Sequence, residues 1–216
     1  MTDPIRPRRS ALFLPASNPK ALAKARELLA DVVILDLEDA VAPEHKDSAR
    51  AAAVAAVHEG GFGRRELVVR SNGMTTPWGA DDLAALAAAG PDAVLVPKVS
   101  SAQEVRAYDA ALAGAPPHTR LWIMIETCAC VPVLHEIAAC GADTRLAGFV
   151  LGTNDLSKEM HARLTPARTP FLPILTMAVI AARAHGLIVL DGVCNEFRDL
   201  EIVRAEAEQG LDFGFD

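Results

Sequence analysis

Short apolar runs recur along this chain at nearly regular intervals, and that spacing narrows the choice of fold more than any other feature. The runs are Ala11–Pro15, Val32–Leu37, Leu67–Ser71, Ala93–Val96, Leu121–Ile125, Gly148–Leu151, Leu187–Leu190 and Asp212–Phe215. Most are rich in Val, Ile and Leu without polar alternation, as parallel strands covered on both faces require. Their ends, near Ala16, Val41, Gly73, Val99, Thr127, Leu156 and Val193, lie 25, 32, 26, 28, 29 and 37 residues apart. Each interval holds one strand and one crossover helix. Helix starts fall between them. Ser17-Asn18-Pro19 and Thr76-Pro77 open two, and Ser101 with Glu104 has capping-box spacing. Ala80–Ala89 and Ala178–Ala184 suit helices packed closely on a sheet. Eight strands in serial βα order predict an α/β fold of the (β/α)8 barrel type, with an open doubly wound sheet as the alternative. No Gly-x-Gly-x-x-Gly follows a strand, which weakens the second.

The chain has 216 residues, 51% of them apolar, enough for one large core. It is expected to form one barrel domain over residues 1–216. The sequence stops at Asp216, inside or just after the eighth run, so the eighth helix is expected to be lacking. Twenty-one basic against 28 acidic residues give a net charge of -7, without a Lys/Arg block, and nucleic acid is excluded as a partner. No membrane span is present, and Met1–Ser10 does not lead into a signal-peptide core, so a cytoplasmic location is expected. Cys128, Cys130, Cys140 and Cys194 fit neither zinc nor thioredoxin spacing and read as buried, reduced thiols. The six histidines show neither zinc nor nucleophile-base spacing and read as solvated or capping residues.

Several runs stop on a charged residue, and an ionic group at the end of a buried strand is costly unless something pairs with it. Acids near strand ends are Asp36, Glu38, Asp39, Glu126, Asp155 and Asp191; bases are Arg70 and Lys98. Six acids against two bases call for a cation, and oxygen donors without a His or Cys cluster favour Mg2+. Glu126 and Asp155 end consecutive predicted strands, whose backbones would lie about 5 Å apart, so they form the most economical metal pair. Asp36, flanked by Leu on both sides, fits a structural role equally well, and Asp191 before Gly192 fits a turn. Arg70 can grip a carboxylate through two parallel hydrogen bonds, or pair with Glu38 or Asp39. Lys98 offers a Schiff-base amine on weaker grounds. The backbone of Gly152, Thr153 and Asn154 could approach an anionic oxygen.

In these residues the sequence resembles the citrate lyase beta-subunit family of CoA-ester lyases, within the superfamily that includes 2-oxo-diacid aldolases. The segments that carry the resemblance are Ser10–Ala16, Val32–Val41, Val68–Asn72, Val94–Lys98, Ile125–Thr127, Gly152–Leu156, Leu190–Val193 and Gly214–Asp216, in order along nearly the whole chain. The resemblance implies a (β/α)8 barrel, Mg2+ on Glu126 and Asp155, Arg70 as the substrate-binding and catalytic arginine, and Glu38 and Asp39 in the network around it and the metal waters. It implies a homo-oligomer, trimeric or hexameric, and the backbone at Gly152, Thr153 and Asn154, which equally fits a plain tight turn, is the expected further substrate contact. The implied reaction splits a malyl-, citramalyl- or citryl-type 3-hydroxyacyl-CoA into an acyl-CoA and a 2-oxo acid. Alternatives are an aldolase of free 2-oxo acids, a malyl-type thioesterase and a noncatalytic subunit of a citrate lyase-like complex. Family members continue past the Gly-Phe-Asp strand into a closing helix and a C-terminal lid that carries an acid/base residue, so that residue is not expected within 1–216.

Overall fold

The computed structural model describes residues 6–216; the first five residues of the Met1–Ser10 segment lie outside it. The chain runs β1 (Ala11–Pro15), α1 (Pro19–Ala25), β2 (Val32–Asp36), α2 (Lys46–Glu59), β3 (Glu66–Arg70), α3 (Gly79–Ala89), β4 (Ala93–Val96), α4 (Ala102–Ala111), β5 (Arg120–Ile125), α5 (Leu134–Ala139), β6 (Leu146–Leu151), α6 (Thr153–Glu159), α7 (Leu172–Ala184), β7 (Ile188–Leu190) and α8 (Leu200–Phe213). The seven strands follow sheet order β1 to β7. This is the serial α/β architecture of the (β/α)8 class, with seven strands among the described residues.

The chain divides into two compact units, one reaching Leu95 and including Ala111–Arg120, the other Val96–Ala110 with Leu121–Asp216. In the first, β1, β2 and β3 pair in parallel, with Leu14 opposite Leu35 and Leu35 opposite Val69. Val32, Val33, Ile34 and Leu35 are fully buried, so β2 is covered on both faces and reads as an unbroken apolar run. Each such aliphatic side chain contributes about 1.5–3 kcal/mol by leaving water. In the second unit, β5, β6 and β7 pair in parallel around Trp122, Phe149 and Val189, all fully buried.

The helix starts follow local chemistry. The Asn18 side chain accepts from the Lys20 and Ala21 amides, and Pro19 supplies a first residue that needs no partner. Ser101 Oγ accepts from the Glu104 amide, but the Glu104 carboxylate reaches back to the Ser100 amide, one residue before the ideal box. Thr76-Pro77 does not cap a helix directly. Thr76 Oγ1 donates to Gly73 O within a turn, and α3 begins at Gly79.

The eighth predicted strand is not found. Asp212–Phe215 falls on the end of α8, which Asp199 caps at its start and Gly214, at φ 90°, closes in the left-handed conformation. A fourteen-residue helix with both caps in place outweighs four residues of strand-like composition, of which Asp212 and Phe213 are helical and Gly214 is the cap. Only beyond the cap does the chain turn toward the sheet, where the Asp216 amide donates to Val189 O and the Asp216 carboxylate accepts from the Val189 amide. Two of the thiols also differ from expectation. Cys130 and Cys140 are buried, whereas Cys128 is exposed and Cys194 partly so, because both lie in irregular segments after strands; all four are free. Among the described residues no helix is long and apolar enough to cross a membrane.

Candidate active site

In the first unit the chain folds a buried ionic network around the end of β2 and β3. Asp36, the last residue of β2, faces Arg70, the last residue of β3, because the parallel register sets them opposite each other. Arg70 Nε and Nη2 donate to Asp36 Oδ1 and Oδ2 at 2.7 and 2.6 Å. The same carboxylate accepts from the amides of Glu38 and Ala40, at 2.9 and 3.1 Å. Asp36 is therefore the anchor of the turn that carries the acidic pair, which answers its structural reading. Arg70 Nη1 lies 2.9 Å from Glu38 Oε2 and 3.9 Å from the more exposed Asp39. The fork foreseen for a substrate carboxylate is occupied by Asp36, and the Nη1 edge is the one turned to Glu38 and Asp39. Burial works against the Arg70 charge, but the hydrogen bonds and attraction of Asp36, followed by Glu38 and Asp39, outweigh it and raise the arginine's pKa. Phe13 lies beneath the guanidinium at 5.3 Å.

Sequence reasoning missed the lysine behind this turn. Lys46, buried at the start of α2, donates at 2.7 Å to Leu37 O, Glu38 O and Asn72 Oδ1. Asn72 in turn gives its amide and side-chain NH2 to Asp82 Oδ2, and Asp82 Oδ1 accepts from Arg50. Burial lowers the Lys46 pKa, against the opposing pull of Asp36, Glu38, Asp82 and Asp39. A charged residue on the Ala-rich face of α3 was the available signal: Asp82 is fully buried among Leu83, Leu86 and Ala87.

The second unit holds the other acids. Glu126 directly follows β5 and is almost fully buried. Its Oε1 accepts the Lys98 amide at 2.8 Å, and Lys98 adopts a left-handed φ of 55° to point that amide inward. A non-glycine residue held there costs of order 1–3 kcal/mol, a strain found where geometry serves a site. Gly152 closes the other side. A Cβ at this position would stand 2.6 Å from Glu126 Oε2, so only glycine leaves the carboxylate its space. Asp155 does not end a strand as its spacing suggested; it sits in the first turn of α6. Lys158 Nζ is 2.7 Å from its Oδ1 and Lys98 Nζ 3.8 Å from its Oδ2.

Thr153 is buried, tight against Gly192, and Asn154 exchanges side-chain hydrogen bonds with Asn195 at 3.2 and 2.8 Å. Asp191 is tied to Arg168 Nη1 at 2.7 Å through both oxygens and accepts from the Gly192 amide. Asp191 lies in an irregular segment after β7 rather than in a turn, held there by the ion pair.

Among the described residues no three His, Cys, Asp or Glu side chains gather as a metal cluster. The donors that are present still suit a hard ion. Mg2+ takes one or two carboxylates and fills its octahedron with water and substrate oxygens, and the cradle at Gly152 preserves space beside Glu126 Oε2. Lys158 already places a cation against Asp155 Oδ1.

Parallel strands that end in buried acid-guanidinium networks, with a cradled carboxylate after β5, define an α/β enzyme of the (β/α)8 class. The chain belongs to the HpcH/HpaI aldolase/citrate lyase family, which it matches over residues 9–216. It is 46% identical, over all 216 residues and 73% of the relative's length, to a (3S)-malyl-CoA thioesterase of Cereibacter sphaeroides. An L-malyl-CoA/beta-methylmalyl-CoA lyase of the same species is 34% identical, over 98% of this chain and 74% of the relative. The citrate lyase beta subunit of M. tuberculosis, solved with oxaloacetate and magnesium, superposes with a TM-score of 0.79 at 33% identity, covering 95% of this chain and 87% of that one.

Proposed function

We propose that the chain acts on malyl-type CoA thioesters with Mg2+ held by Glu126 and Asp155, and that its reaction is hydrolysis to malate and free CoA. The observation that carries this reading is the 46% identity to a (3S)-malyl-CoA thioesterase across the full 216 residues. Carbon-carbon cleavage, which the sequence segments alone favoured, is the second reading, supported by the 34% identity to a malyl-CoA lyase.

Hydrolysis forms a bond from water oxygen to the thioester carbonyl carbon and breaks the carbon-sulfur bond; the water proton ends on the departing thiolate. Negative charge develops on the carbonyl oxygen on the way. Arg70 is assigned to offset that charge, with Asp36 fixing the plane of its guanidinium and Glu38 and Asp39 setting their negative charge beside its Nη1 edge. Backbone amides at Gly152, Thr153 and Asn154 are assigned to the substrate's anionic oxygens. A bound Mg2+ would supply Lewis-acid polarisation and orientation of the substrate's oxygens.

The test is to incubate the protein with (3S)-malyl-CoA, with Mg2+ and with a chelator, and to follow free thiol and 2-oxo acid together. Metal-dependent thiol release without glyoxylate supports hydrolysis. Stoichiometric glyoxylate and acetyl-CoA would replace it with the lyase reading, and turnover indifferent to chelation would remove the metal from the proposal.

A further inference from the structure

Outside the carboxylate and arginine clusters, two histidines fifty residues apart in sequence come together in the second unit. His135 lies in the first turn of α5 and His185 ends α7, two helices that pack against each other. His185 Nε2 and His135 Nδ1 are 3.2 Å apart, with ring centroids at 4.5 Å and planes inclined by 57°. The two rings lie at the surface. At this separation the two ring nitrogens share one hydrogen bond, one donating and the other accepting.

We propose that His135 and His185 form a two-imidazole site for a divalent transition-metal ion of the Zn2+ or Ni2+ type, separate from the carboxylate pair. Zinc-nitrogen bonds of about 2.0–2.1 Å at a tetrahedral angle place two ligand nitrogens about 3.3–3.4 Å apart. The observed spacing is already within two tenths of an ångström of that, and the rings need only turn their lone pairs outward to a common point. Imidazole donors select borderline ions such as Zn2+ and Ni2+ over Mg2+, which prefers oxygen. The ion replaces the hydrogen bond between the two rings, and water completes its coordination. Because the ligands come from two helices, the bound ion clamps α5 to α7 and stabilises the folded chain by linkage. The sequence gives no hint of this site, because neither His has a metal-ligand neighbour at helical spacing.

The test uses the intact chain with ZnCl2 and, in parallel, NiCl2. Saturating ion is expected to raise the melting temperature by about 2–4 °C, a range that corresponds to one unit of binding energy in a chain of this size. In nitrogen-detected NMR the His135 and His185 ring signals should move together while the other histidines stay in place. His135→Ala and His185→Ala should each abolish both effects. His135→Gln, which keeps a polar group at the surface, guards against a packing loss. Glu126→Ala should leave the Zn2+ response intact, which keeps this outcome independent of the catalytic reading. A response that persists in both His variants, or that appears on cysteine signals such as Cys128 with the two imidazoles unmoved, would overturn the proposal, as would no binding of either ion.

Discussion

At the scale of single residues, the carboxylates divide into those that hold the fold and those left for chemistry. Asp36 has four donors in the structure and Asp191 two, one of which reaches both its oxygens, whereas Asp155 meets ammonium groups on flexible stems. On the proposed reading two carboxylates are the protein's share of the Mg2+ shell, so replacing Glu126 or Asp155 by Ala is expected to weaken Mg2+ binding at least tenfold. Asp155→Ala should leave the melting temperature nearly unchanged, whereas Glu126→Ala also removes an acceptor of the Lys98 amide and should lower it. Titration calorimetry reads the affinity and thermal unfolding the stability, and unchanged affinity would remove the residue from the site. Gly152→Ala should mimic Glu126→Ala, because its Cβ would press on Oε2. On the proposed reading Lys158, 2.7 Å from Asp155 Oδ1, would compete with the metal for that oxygen. Lys158→Ala should therefore tighten Mg2+ about two- to fivefold, the range of an exposed ion pair, and weaker binding would show the lysine to be a helper instead. Arg70→Lys keeps the charge but loses the fork, leaving one Asp36 oxygen short of its donor inside the protein. Urea unfolding should register a loss of about 1.5–3 kcal/mol. A lysine variant as stable as the parent would contradict the two-point grip on Asp36.

At the scale of elements, the turn after β2 is built to keep Glu38 and Asp39 in place from both sides. Asp36 takes the turn's amides and Lys46 takes its carbonyls. Lys46→Met should leave Leu37 O and Asn72 Oδ1 without a donor, while Glu38 O keeps the Val41 amide, costing about 1–3 kcal/mol for each unsatisfied group. The amides of Glu38 and Ala40 should then exchange hydrogen faster than in the parent, whereas unchanged exchange would mean that Asp36 alone holds the turn. The sequence made β1 and β4 legible to the residue and the other strands to within two, because buried parallel strands are unbroken apolar runs bounded by charge or turns. It did not make α8 legible. Asp212–Phe215 has strand-like composition, and the deciding signals, a cap at Asp199 and a left-handed Gly214 fifteen residues later, appear only when the whole segment is weighed as a helix. In the site, Glu126 was legible as an acid closing an apolar run. Asp155 was legible as a residue but not as a helix position, since Gly152 starts a turn that strand composition does not reveal. Lys46 and Asp82 escaped because a buried polar chain has no local periodicity; its members meet only through tertiary packing.

At the scale of the whole molecule, the (β/α)8 framework and the family fit an enzyme acting on CoA esters and leave the two proposed reactions open, because each proposal draws on the same metal pair, arginine and anionic substrate. They differ in which bond breaks. The same charged residues serve either outcome, so neither composition nor strand order separates hydrolysis from carbon-carbon cleavage. Turnover of (3S)-malyl-CoA in water enriched in heavy oxygen distinguishes them in a single mass spectrum. Hydrolysis puts one heavy oxygen into the newly formed carboxylate of malate and releases free CoA with no 2-oxo acid. Acetyl-CoA and glyoxylate in equal amounts, with no labelled malate, would contradict the thioesterase reading and return the chain to the lyases.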